Sequence, residues 1–544
     1  MNNKLRIQSE PHDDSNRGFG IVAARATAVA ACLLSGCGGS APSSAEFRVP
    51  ETLETASDSA MANTCVGPYA DYWEHPENRP LDDRQAFRLS QAYPTRPVEP
   101  DNEPWLQHDP FSQGSLASRK EASREYMRSV LHYILEGNVG QTPSEQDFSV
   151  CENRVRRWYH VPWMDANPSK GREWVHGLTR ELSPSPRKLA DGQLYQETAW
   201  AVGFYNEVGA YTLGSIFPGG SAASVNIPAE NIRFPPGTVI GKALFTSAIA
   251  SEVPYLSGAP EWQANVRPPV CGRAWEGETM VDPRTGQEVQ CRRSLHTLRL
   301  TQFDIAVADS RSPTGWVFGT FIYNGLEDST RGWEGLEPVG LMWGNDPGVT
   351  LSPGLNPGSH LPGERGLTPP EGIAESVVFT DTFPQWLQKD LGCAGRLDGP
   401  VDNPRSSCMS CHASASVPLA LSVGEPNPCG GGATARRTIQ SAPILGDFSQ
   451  QCGDAQIDRV WFRNITAGES ITHGDICGGH RWVSLDYSLQ LSEALANYMR
   501  VAHAHPAVGS DSITDSMVEV EASIEVPTEA LPAEIIDDGS ETRR

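Results

Sequence analysis

The chain has 544 residues, with 67 Asp or Glu against 43 Lys or Arg and a net charge of −24. No basic run is interleaved with aromatics, and together with the acidic balance this argues against a nucleic-acid partner. At about 150 residues per domain the length asks for two or three globular units, and 51 Gly, 43 Pro and 14 Trp describe a folded, loop-rich, β-containing chain.

Residues 1–36 read as a signal peptide: Arg17 and Arg25 precede a short apolar stretch from Ala26 to Leu34. The stretch ends Leu34-Ser35-Gly36-Cys37, which resembles a bacterial lipobox. That resemblance implies that Cys37 carries the lipid, that the protein is exported, and that it is anchored to a bacterial membrane facing the periplasm. Glu10, Asp13 and Asp14 in the leader depart from the usual pattern. No other apolar run approaches the roughly 18 residues that span a bilayer, so the body is expected to be soluble. Residues 37–118 are expected to form a flexible tether, Gly38 to Ser44, followed by a Pro-rich and charged irregular extension that Tyr69, Tyr72, Trp73 and Trp105 anchor.

Residues 119–348 are expected to form a β-rich domain with a leading helix. Tyr126, Met127, Val130, Leu131, Ile134 and Leu135 recur at helical spacing between Glu121 and Glu136, and Gly137 stands where the helix should stop. Short β-branched or aromatic runs follow at Arg157 to Trp163, Trp200 to Tyr205, Thr238 to Phe245, Leu295 to Val307, Trp316 to Tyr323 and Val339 to Trp343. Their spacing suits an antiparallel sandwich or open barrel. Both faces of Trp316 to Tyr323 are largely apolar, which predicts a central strand. Three polar clusters punctuate this region: Gln302-Phe303-Asp304, Glu197 with Asn206 and Glu207, and Gly344 to Gly348. Carboxylates at such places serve acid–base work or bind hard cations, although Asn-Asp-Pro-Gly is also ordinary turn chemistry. There is no nucleophile motif, phosphate loop or HExxH zinc helix.

Residues 349–372 hold five prolines and read as a linker to a second domain at 373–506. A short helix is expected from Phe383 to Leu391, and a closing helix from Ser484 to about Arg500 with a stripe of Leu485, Leu489, Leu491, Leu495, Tyr498 and Met499. Residues 507–544 carry ten acids against Arg543 and Arg544 and lack aromatics, which predicts a disordered acidic tail.

Within the second domain lies Cys408-Met409-Ser410-Cys411-His412. Two thiols three residues apart can add to the two vinyl groups of one porphyrin, and the next histidine is then held under the iron. In a chain with 12 Cys and 13 His, chance would produce this pattern roughly 0.006 times, so coincidence does not explain it. The segment resembles the cytochrome c family over at most the last third of the chain. The resemblance implies one covalently attached haem c held by Cys408, Cys411 and His412. It also implies a mainly α-helical cytochrome c-like domain, and electron transfer with redox partner proteins. The whole is therefore expected to be a multidomain α+β protein.

The family normally supplies a methionine as sixth ligand from a loop ahead of the closing helix. Here Met499, inside that helix, is the sole methionine between Cys411 and the tail, whereas His473 and His480 stand in Gly-containing loops ahead of it. His473 is the leading candidate, with His480 and Met499 as rivals and an open sixth position as the remaining possibility. A six-coordinate iron suits an electron carrier. An open site suits a haem oxidoreductase whose β-rich domain holds a small substrate, and a third reading is a ligand-binding or redox-sensing lipoprotein. The lack of a second CxxCH argues against a two-haem peroxidase.

Cys32 leaves with the leader, Cys37 is assigned to lipid, and Cys408 and Cys411 to haem. Eight cysteines remain, an even number that suits disulfides in an oxidising compartment. Proximity singles out Cys271 with Cys291 around a turn at Asp282 to Gly286, a closure that contributes about 3 kcal/mol.

Overall fold

The computed structural model of the protein describes residues 90–112, 114–139, 148, 153–164, 178–181, 183–218, 225–271, 277–350, 373–379, 391–403, 405–418, 452, 455–469 and 482–504. The leader, Cys37, the tether, Tyr69, Tyr72, Trp73, all but the last residue of the helix expected from Phe383 to Leu391, His473, His480 and the acidic tail lie outside the described residues.

The leading helix α1 (Leu116–Leu135) starts five residues earlier than its apolar periodicity begins, because the Ser115 hydroxyl accepts the Ser118 N–H and caps the exposed first turn. It ends just before Gly137, which takes φ +78°. Then come β1 (Trp158–Tyr159), β2 (Leu178–Arg180), β3 (Ala199–Asn206), α2 (Glu207–Ile216), β4 (Val239–Thr246), β5 (Glu261–Val266), β6 (Thr279–Val281), β7 (Glu288–Gln290), β8 (Ser294–Ala308), β9 (Trp316–Tyr323), β10 (Leu336–Met342) and β11 (Ser376–Val378). The run expected from Arg157 to Trp163 yields only the two residues of β1, since Pro162 cannot donate to a ladder and Trp163 turns to φ +68°.

All these strands except β6 and β7 join one antiparallel sheet of nine, ordered β1-β3-β4-β8-β9-β10-β11, with β2 also on β3 and β5 also on β8. The expected second large sheet is not found among the described residues, so the sandwich expectation gives way to an α+β arrangement in which helices and loops cover the sheet. Strands β3 and β9 are buried at every position, which requires cover on both faces. Helix α1 covers one face, where Ile134 lies against Gly241.

On the other face, Gly203, Lys242, Asp304, Thr320, Gly340 and Val378 form one cross-strand row. Two members of that row are glycine for a steric reason. A Cβ on Gly203 would strike the Gln490 side chain, and one on Gly340 would come within 2.7 Å of Leu397. The C-terminal third approaches the sheet at these two places.

That third comprises α3 (Cys408–His412), β12 (Ser416–Pro418), α4 (Ala455–Trp461), β13 (Trp482–Ser484), which pairs with β12, and α5 (Leu489–Ala504). Strand β11 lies beyond the 349–372 segment read as a linker, yet it completes the sheet. One continuous core runs from the sheet through Met409, Ala413 and Val417 to Leu485, Leu491 and Leu495. The core is therefore not interrupted at the expected boundary. The closing helix starts at Leu489 rather than near Ser484, because 482–484 are a strand and the Ser488 hydroxyl accepts the Leu491 N–H. Met499 falls within α5 with its side chain outside the described residues.

Cys271 and Cys291 form the expected disulfide, and Cys393 and Cys452 form a second. The first staples the β6–β7 hairpin, whose tip carries Arg284 into an ion pair with the buried Glu197. Asn206 caps α2 through the Gly209 N–H and also accepts from Val239. The polar cluster of Glu197 and Asn206 is thus structural. Among the described residues no helix is long and apolar enough to cross a membrane.

Candidate functional site

Helix α3 is only five residues long, and its position is set by what holds its first turn. The Ser407 hydroxyl accepts the Ser410 N–H at 3.0 Å while the Ser410 hydroxyl accepts the Ser407 N–H at 2.9 Å, a reciprocal cap. The Ser407 hydroxyl donates in turn to Asn345 Oδ1 at 2.7 Å. Asn345 belongs to the Gly344 to Gly348 turn, and the buried Arg396 guanidinium ties this turn down by donating to the carbonyls of Asn345, Asp346 and Val349. The Asp346 carboxylate accepts the N–H groups of Ala374 and Glu375. This polar cluster is turn chemistry with a consequence: it anchors the start of α3 to the end of β10.

In α3, Cys408 and Cys411 fall three residues apart and so on the same side of the helix. They are the unpaired cysteines among the described residues, and both are half-buried. Burial, then the carboxylates of Asp398, Asp402 and Asp304, push the Cys408 thiol well up, and burial followed by Asp398 pushes Cys411 the same way. Thiols held protonated are poor nucleophiles for disulfide exchange and poor metal ligands.

His412 lies with its ring 4.6 Å from that of Phe318 on β9. Its Nδ1 is 2.8 Å from the carbonyl oxygen of Tyr487, 75 residues away. A carbonyl oxygen only accepts, so Nδ1 carries the proton. Burial drives the ring down to about 4, against the upward pull of that hydrogen bond. The imidazole is therefore neutral at neutral pH with its Nε2 lone pair free, the state in which a histidine ligates a metal through Nε2. Two thiols on one side of a helix followed by a histidine in this tautomer fit the donor set that haem c needs. Sequence reasoning found Cys408, Cys411 and His412 but missed Tyr487, since a backbone acceptor has no side-chain signature.

Beside the thiols lies the third polar cluster. Asp304 accepts from the Thr320 hydroxyl at 2.9 Å and from Gln302 Nε2 at 2.8 and 3.0 Å. The same Gln302 amide donates to Asp402 at 2.9 Å, 100 residues away, and its Oε1 accepts the Val401 N–H. Lys242, next to Asp304 in the row, pairs with Glu181 at 2.7 Å. Burial lowers the Lys242 pKa, but Glu181, then Asp402 and Asp304, outweigh it and keep the ammonium charged. Asp304 is raised to about 8 by burial and then by the Asp402 charge, against the pull of Lys242. Asp398 is raised well above the ordinary range, and its Oδ2 is buried without a hydrogen-bond partner. Asp398 and Asp402 went unrecognised in the sequence because they sit in an irregular loop with no period. Among the described residues no group of three or more metal-binding side chains converges.

No protein-family model, curated protein or solved structure matches the chain.

Asp304 has a direct consequence for stability. The folded chain holds its proton up to about 8, whereas the unfolded chain releases it near 3.8, so folding binds a proton between these values and this contribution to stability falls as pH rises through the window. Asp304→Asn should gain on the wild type progressively between about pH 5 and about pH 8, read as denaturant midpoints. A difference between the two proteins that stays constant over that range contradicts a buried, protonated Asp304.

Proposed function

We propose that the protein is a single-haem c-type cytochrome that transfers electrons to or from redox partner proteins at the periplasmic face of a bacterial membrane. The observation that carries this reading is the His412 Nδ1–H···O=C bond to Tyr487, which leaves Nε2 free beside two protonated, unpaired thiols. Cys408 and Cys411 would hold the haem through thioethers and His412 Nε2 would ligate its iron. The haem would supply a one-electron couple, and the protein's part is to fix the imidazole through the Tyr487 carbonyl and through the neighbouring Phe318 ring. In this reading α3 and α5 belong to a cytochrome c-like C-terminal part built onto the sheet. Changing Cys408 and Cys411 together to Ala should abolish haem-dependent peroxidase staining on a denaturing gel. Staining that persists sinks the assignment.

A haem oxidoreductase is the second reading, favoured by the carboxylates of Asp304, Asp398 and Asp402 beside the thiols, of which Asp304 and Asp398 are raised far enough to hold protons. The two readings differ in the sixth iron ligand, for which we propose His473 ahead of His480 and Met499. The ferric wild type should then be low-spin, without the weak far-red band of an iron–sulfur bond, and His473→Ala should turn it high-spin. A wild type already high-spin favours the oxidoreductase. A low-spin wild type unchanged by the substitution passes the role to His480 or Met499.

The lipid anchor is proposed from Leu34-Ser35-Gly36-Cys37. Cys37→Ser should move the protein from the membrane pellet to the supernatant with its haem intact, and a wild type found wholly in the supernatant contradicts the anchor.

A further inference from the structure

The carbonyl that orients His412 belongs to a backbone segment of unusual shape. Asp486 and Tyr487 are consecutive residues with φ of +49° and +66°. Positive φ is unusual for any residue with a side chain and an outlier for a bulky one, and it costs free energy at each position. Glycine would occupy either position without that cost, so the two side chains must do something that glycine cannot.

The contacts show what each does. The Asp486 carboxylate, fully buried, accepts three N–H groups from three separate parts of the chain: Phe234 at 2.6 Å, Gly468 at 2.6 Å and the Trp316 indole at 3.2 Å. Phe234 precedes β4, Trp316 opens β9, and Gly468 follows α4. Burial pushes this carboxyl up, and the three donors, with Arg233 nearby, oppose the push. The Tyr487 hydroxyl donates to the Ile465 carbonyl at 2.6 Å, and its ring lies 5.9 Å from Phe318, the ring that also flanks His412. The Tyr487 carbonyl accepts the Leu489 N–H at 3.2 Å as well as His412 Nδ1 at 2.8 Å.

We propose that Asp486 is a positioning residue for the haem: by clamping the 486–487 turn to the sheet and to the loop after α4, it fixes the Tyr487 carbonyl as acceptor for His412 and so sets the basicity of the axial imidazole. This rests on the haem reading above. A histidine whose far N–H is bonded to a fixed acceptor is a stronger electron donor, which favours ferric iron and lowers the reduction potential. Without the clamp the turn can relax, the acceptor drifts, and the ligand becomes less basic.

The test compares Asp486→Ala, Asp486→Asn and Tyr487→Phe in the full-length haem-loaded protein. Asp486→Ala should still carry covalent haem, yet at a fixed poise its ferrous-to-ferric ratio should rise about tenfold, equivalent to about 59 mV for a one-electron couple. Asp486→Asn and Tyr487→Phe, which each keep part of the clamp, should shift the ratio less and in the same direction. A lower melting temperature with the wild-type ratio would show a merely structural role and overturn the proposal. If Asp486→Ala does not accumulate, the two milder variants decide, and the wild-type ratio in both overturns it. Nitrogen NMR of His412 separates this proposal from the haem reading. If the purified wild type holds no haem, the proposal still requires an Nδ1–H tautomer that becomes mixed in Asp486→Ala, and a tautomer unaffected by the substitution overturns it.

Discussion

The bond from His412 to the Tyr487 carbonyl joins points far apart in the chain, and a short stretch of sheet makes it geometrically inevitable. Strands β12 and β13 pair in the register Ser416 to Ser484, and Leu485 donates to the Ala415 carbonyl at 3.0 Å. Ser416 lies just past His412 and Ser484 just before Asp486, so the pairing brings the end of α3 alongside the turn. The same segment is stitched to the sheet domain on its other side, where Ile232 donates to the Ser484 carbonyl and Asn231 Oδ1 accepts the Ser484 N–H. A slip of one residue in either pairing would turn the side chains of that strand over, and the histidine would lose its acceptor. The orientation of the His412 ring is therefore a property of the whole assembly rather than of the five residues of α3.

The charged row on the same sheet face follows a different logic. Lys242, Asp304 and Asp402 are half-buried and the neighbouring Asp398 is fully buried, at a place where aliphatic side chains would pack without desolvation cost. Burying ions costs several kcal/mol each, and even good pairing seldom does more than break even. The network limits the cost by sharing one Gln302 amide between Asp304 and Asp402 and by leaving Asp304 protonated over most of the ordinary pH range. Stability alone gives no reason to place these groups beside the thiols, whereas in the proposed haem reading tuning the electrostatics of the site does.

Much of the sheet was legible because its signals are local. Trp316 to Tyr323 is largely apolar on both faces, and a strand with that pattern has to be covered on both; β9 lies between β8 and β10 with every residue buried. The CMSCH spacing is local too, and it sets Cys408 and Cys411 on the same side of α3. Composition misled where it had to stand for topology. The prolines of 349–372 look the same in a linker between domains as in a connection between β10 and β11 of one sheet, and only the pairing of Gly340 with Val378 tells them apart. Similarly, Leu485 fits the apolar stripe of the closing helix by period, but the Asp486 carboxylate draws three N–H groups around itself and the chain turns there instead. Tyr487 and Asp402 were out of reach because each acts through a partner 75 or 100 residues away in the sequence, and Asp398 because it sits in an irregular loop with no period.

The sheet thereby acquires a part in the site that its sequence did not advertise. Phe318 flanks the His412 ring, Trp316 holds Asp486, and Asp304 and Thr320 face the thiols, and all four come from the two central strands β8 and β9. Central strands are the least deformable element available, buried on both faces and hydrogen-bonded along both edges. An imidazole bonded to a clamped carbonyl and packed beside a ring on such a strand has little room to move when the charge beside it changes. One-electron transfer gains from that rigidity, because whatever does not move does not have to be reorganised. In the proposed haem reading, the β-rich part is the stiff wall against which the ligand is held.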